Sequence, residues 1–80
     1  MPLNLAKIKS RREKLGYTLD EAARHGNAAA KQLGWNDRVK LTRQRWYQIE
    51  AGLSEDVRLS TLESLAAVLK CKIDDLVAKS

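Results

Sequence analysis

Apolar residues recur along this chain at steps of three and four, the period of a helix with one face turned inward. Leu5, Ile8, Arg12 and Leu15 share the first such stripe, and Leu19, Ala22, Ala23, Gly26, Ala30 and Leu33 share the second. Trp46 and Ile49 form a pair three apart, Leu62, Leu65, Ala66 and Leu69 follow, and Ile73, Leu76 and Val77 close the series. No stretch alternates apolar with polar as a half-buried strand would, Phe is absent, and the one Pro stands at position 2. The pattern predicts an all-helical fold with five helices.

Local signals set the expected boundaries. Asn4 suits the N-cap of a first helix reaching about Leu15, with Gly16 as its left-handed stop. Thr18-Leu-Asp-Glu21 reads as a capping box, its acidic pair also suited to the positive end of a helix, and opens a second helix at Thr18. Gly26 weakens that helix by roughly 1 kcal/mol relative to Ala, so a break between His25 and Asn27 is the alternative to a helix running through much of 24–33. Residues 35–40, WNDRVK, read as a connector bearing Arg38 and Lys40. Thr42 caps a third helix that ends at Gly52, and 53–58 form a polar loop. Ser60-Thr-Leu-Glu63 reads as a second capping box, opening a helix to about Leu69. Lys70 and Cys71 turn the chain into a short last helix with Asp74 and Asp75 in its first turn.

The third helix carries the candidate chemistry. Opposite Trp46 and Ile49 it presents Arg43, Gln44, Tyr47 and Gln48, and its two amides can each offer a donor and an acceptor together to a base edge. Arg43 and Arg45 crowd the first turn, where the helix dipole already favours anions, so an external phosphate there would turn a mild cost into a gain. The plain alternative is that both guanidinium groups splay into water. Arg12, on an otherwise apolar stripe, requires a carboxylate partner, because an unpaired buried guanidinium is very costly.

Charge sharpens this reading. Eighty residues suffice for one small domain, taken as 1–80, and the chain carries a formal +5. Residues 1–48 hold eleven basic and four acidic side chains, whereas 49–80 hold four and six, so the positive field belongs to the half containing the third helix. A single cysteine, Cys71, permits no internal disulfide and suggests a reducing compartment. No apolar run approaches membrane length and the first ten residues lack a signal peptide's apolar core, which leads us to expect a cytoplasmic protein with no membrane partner. One His, one Cys and scattered carboxylates compose neither a triad nor a metal cluster, and no glycine-rich phosphate loop is present. An enzyme is not expected, nor a cofactor, and His25 is read as a surface side chain.

IKSRREKLGYT at 8–18, LDEAA at 19–23, LTRQRWYQIEAG at 41–52 and LSTLESLAAVLKCKIDDL at 59–76, in that order, resemble the Cro and phage-repressor type helix-turn-helix family, also called the XRE family. The resemblance implies a five-helix lambda-repressor-like DNA-binding domain that places its third helix in the major groove of double-stranded DNA, commonly as a homodimer on a two-fold site. By position it implies an Arg12–Glu50 pair between helices 1 and 3, base reading by Arg43, Gln44 and Gln48, and backbone contacts from Thr42 and Arg11. Arg38, Lys40, Arg45 and Tyr47 join the expected backbone set. The implied function is a small transcriptional repressor, the alternative being a protein-interaction module such as an antitoxin that also contacts a partner protein.

Three departures from the family pattern stand out. Lys70 occupies a position usually held by Gly before the last helix, and so would have to accept a left-handed backbone. Ala22 replaces a large apolar residue, leaving volume for Trp46. The 24 positions from Thr18 to Thr42 are about twice what the motif needs, so the segment between helices 2 and 3 is lengthened. Its apolar spacing stays in helical phase, which predicts an extension of helix 2 that carries Arg24 and Lys31 along one edge. Against this, Trp35 would simply pack on the core and the basic residues stay solvated.

Overall fold

The computed structural model describes residues 3–35, 39–53 and 57–77. Five helices follow one another: α1 (Leu5–Lys14), α2 (Leu19–Gln32), α3 (Arg43–Glu50), α4 (Leu59–Leu69) and α5 (Ile73–Leu76). Among the described residues there is no strand, only an isolated antiparallel bridge between Leu3 and Val77.

Asn4 caps α1, its side-chain oxygen accepting from the Lys7 N–H, and Gly16 supplies the left-handed residue beyond Leu15 at φ 77°. The Thr18–Glu21 capping box is complete in both directions. Hydrogen bonding from the Thr18 backbone first, and then from the Thr18 side chain, holds the Glu21 carboxyl below its ordinary range. α2 then runs unbroken through Gly26. This glycine is buried, and a Cβ built on it would collide with Leu41 Cδ1. The helix runs on as its apolar spacing predicts, the residue is a seat for Leu41, and the propensity cost is offset by close packing.

The core joins Ile8, Ala22, Ala23, Ala30, Val39, Leu41, Trp46, Ile49, Leu62, Leu65, Leu69 and Leu76. α2 lies against both α4 and α3, and its small residues let those helices come close. Trp46 is wholly buried in this space, next to the alanine-lined face of α2.

Three boundary expectations change. α4 starts at Leu59 with Arg58 as an N-cap lacking any side-chain bond, so Ser60 does not cap it. Ser60 is instead inside the first turn and buried, its carbonyl accepting from Ser64 Oγ, and Glu63 is turned away to accept from Trp35 Nε1 at 3.0 Å. Leu33 follows the last turn of α2 and is 47% exposed, outside the stripe assigned to it. Val77 has left the helix: it is extended and pairs with Leu3, while the Asn4 N–H donates to the Leu76 carbonyl at 2.8 Å. Lys70 takes the left-handed conformation, φ 54° and ψ 48°, as its position before α5 requires.

Candidate nucleic-acid interface

α3 is held from three directions. Its inner face, Trp46 and Ile49, is buried against the core. At its C-terminal end Glu50 meets Arg12 of α1 in a two-pronged pair, Arg12 Nε donating to Oε2 at 2.6 Å and Nη2 to Oε1 at 3.1 Å. The remaining guanidinium nitrogen, Nη1, donates to the Tyr17 carbonyl at 2.8 Å. The Arg12 and Glu50 side chains are only 12% and 7% exposed, so this is a largely desolvated pair in which every guanidinium nitrogen has a partner. Bonding to Glu50 raises the Arg12 pKa further, which keeps the cation fixed at any ordinary pH. Trp46 Nε1 also donates to Glu50 Oε2, so one carboxylate joins α1, the indole and the end of α3.

The third hold is at the N-terminal end. Asn27 of α2 bonds both backbone groups of Leu41: its Nδ2 donates to the Leu41 carbonyl and its Oδ1 accepts from the Leu41 N–H, each at 2.7 Å. The amide thereby supplies what a neighbouring strand would supply, while the Leu41 side chain settles over Gly26. Thr42, the next residue, caps α3, its Oγ1 accepting from the Arg45 N–H at 3.0 Å. That hydroxyl still has a proton to donate outward.

With these anchors in place, Arg43, Gln44 and Tyr47 are exposed and Gln48 is half-buried. Gln44 and Gln48 are four apart and share a face, as do Arg43 and Tyr47. Arg43, Gln44 and Tyr47 line a shallow hollow together with Leu19 of α2. Because the only carboxylate of α3 is turned into the Arg12 pair, its solvent side bears neutral or positive groups alone. Arg45 is half-buried beside the cap, and Lys40 is exposed two residues before it. Arg38 lies outside the described residues.

Arg11 is placed elsewhere. Its Nε donates to the Leu69 carbonyl at 3.0 Å and its Nη2 to the Lys70 carbonyl at 2.9 Å, so its guanidinium closes the C-terminal end of α4 instead of accompanying α3. Trp35 packs against the core as the plainer reading of the connector holds, although Val39 and Leu41 are buried with it.

Two of these contacts escaped the sequence reading, the Trp46 bond to Glu50 and the Asn27 bonds to Leu41. Trp46 and Glu50 are four apart on one helix, a spacing from which their bond was readable. Asn27 gave no such signal, because its partner is fourteen positions away and is backbone. Among the described residues no three His, Cys, Asp or Glu side chains gather as metal ligands, and no helix is long and apolar enough to cross a membrane.

The family model for a Cro/C1-type HTH DNA-binding domain matches residues 7–78, from the first turn of α1 to past α5. No curated protein and no solved structure matches the chain.

Proposed function

Because this chain belongs to the Cro/C1-type helix-turn-helix DNA-binding family, we propose that it is a sequence-specific regulator of transcription, a small cytoplasmic repressor that inserts α3 into the major groove of double-stranded DNA. The observation that carries this is the division of α3 into two faces. Trp46, Ile49 and Glu50 fix the helix to the fold, and the opposite side offers Arg43, Gln44 and Gln48 with no negative charge among them. Arg43 has the fork geometry suited to guanine, and the two amides suit adenine. Thr42, Lys40, Arg45 and Tyr47 surround the reading face and are assigned to phosphates, which set register without reading sequence.

Arg11 leaves that set, since contacting DNA would require it to abandon two carbonyls at the end of α4. Binding as a homodimer on a two-fold site follows from the usual geometry of such domains, with half-sites about one helical turn apart. Repression would then result from occupying a promoter.

Selection of bound duplexes from a random pool tests the proposal. Enriched two-fold sites are expected, and Gln44→Ala or Gln48→Ala should relax selectivity by about 1–3 kcal/mol at one position of each half-site. Failure to enrich any sequence would reject sequence-specific binding.

A further inference from the structure

The lengthened α2 builds a second cationic feature beside α3. Its later turns run alongside residues 39–42, and the two hydrogen bonds between Asn27 and Leu41 keep that segment against the helix. Between them lies a cleft of about 560 Å³ lined by Asn27, Lys31, Val39, Lys40, Leu41 and Thr42. Val39 and Leu41 are buried and form its floor, while Lys31 from α2 and Lys40 from the segment stand exposed at its rim. Among the described residues, no carboxylate lines the cleft and neither lysine has an ion-pair partner.

The cleft ends at Thr42, where α3 begins, so the two ammonium groups border the positive end of the helix that would enter the groove. Two cations from separate elements, set beside free helix N–H groups and a hydroxyl with a proton to give, match a single phosphate diester oxygen pair. We propose that this cleft holds a backbone phosphate of the duplex just outside the base pairs that α3 reads, and that Lys31 is a DNA contact supplied by the lengthening of α2. The inference rests on the reading of α3 as the DNA-entering helix. It turns the inserted stretch into an enlargement of the DNA footprint.

Lys31→Gln and Lys40→Gln, alone and together, test it on a selected duplex, with Lys72→Gln beyond α4 as a control for loss of charge. Gln serves the exposed helix position of Lys31 about as well as Lys, and Lys40 is exposed outside any helix, so the melting temperature should hold. Each cleft variant should bind about five-fold more weakly near 0.15 M salt, and the double variant about 25-fold, with the log–log salt slope shallower by about 0.9 per lysine lost. The loss should be equal on all sequences and leave base preference intact. Ethylating one phosphate flanking the half-site should impair the wild type but make no further difference to the double variant.

Wild-type affinity and slope in Lys31→Gln, alongside altered base preference in Arg43→Ala, would overturn the cleft and leave the reading of α3 standing. A loss no greater than that of Lys72→Gln would also overturn it, as an effect of net charge. If the wild type enriches no duplex at all, the reading of α3 fails and the cleft proposal fails with it.

Discussion

Glu50 shows how much can depend on one carboxylate. It receives two bonds from Arg12 and one from Trp46, so its removal strands a guanidinium and an indole N–H together. Arg12→Met and Glu50→Met should each cost about 3–5 kcal/mol in urea unfolding, because each leaves a nearly buried charge alone. Replacing both should recover part of that loss but not all, since the Trp46 N–H and the Tyr17 carbonyl then lack partners, at about 1–3 kcal/mol for each such group. Equal unfolding midpoints for wild type and single variants would contradict the pair's importance. Gly26 makes the opposite point about local rules. Gly26→Ala gains roughly 1 kcal/mol of helix propensity, yet its methyl would collide with the buried Leu41 side chain. A net loss of about 1–3 kcal/mol is expected from overpacking, with weakened DNA binding as Leu41 shifts and disturbs the start of α3. A thermal midpoint above that of the wild type would show that Leu41 yields freely.

At the level of elements, legibility followed the range of the interaction. Thr18–Glu21 and Thr42 announced their helices because a cap and its N–H lie within three residues of each other. Ser60–Glu63 has the same sequence form and failed, because Trp35, twenty-eight positions earlier, captures the glutamate. Leu33 was placed inward by phase alone, but the chain had already left α2 one residue earlier. The helical extension was readable from spacing and alanine content, whereas its reason for passing through a glycine lay in Leu41, fifteen residues on. Lys70 yields a prediction at this scale. Its left-handed backbone costs an L residue about 1–2 kcal/mol, which Gly escapes while giving up some unfolded-state restriction. Lys70→Gly should therefore stabilise the fold by about 1 kcal/mol, seen as a higher urea midpoint at unchanged slope. Arg11 keeps both its bonds in this variant, since they go to the backbone carbonyls of Leu69 and Lys70 and not to the lysine side chain. A lowered midpoint would show that the lysine side chain contributes something its backbone does not reveal.

For the whole molecule, the sequence disclosed the helix order, which follows from periodicity, and its distribution of charge points to the side proposed to meet DNA. It did not disclose how a connector of twice the usual length keeps α3 in place; that depends on Asn27 and Gly26, which acquire meaning only when α2 and residue 41 are brought together. The charge asymmetry carries its own prediction. If about five phosphates are neutralised, the affinity for a selected duplex should fall with salt at a log–log slope of roughly −4 to −5, and a slope near zero would remove the electrostatic role of the basic half. The paired ends of the fold determine how it would respond to tension. Leu3 and Val77 face each other in an antiparallel bridge, with the Asn4 N–H on the Leu76 carbonyl next to it and the Lys7–Asp75 ion pair beyond. A pull applied at the two ends would meet these contacts one after another, as a zipper is opened, and would peel α5 from α1 at low force long before the anchors of α3 bore any load.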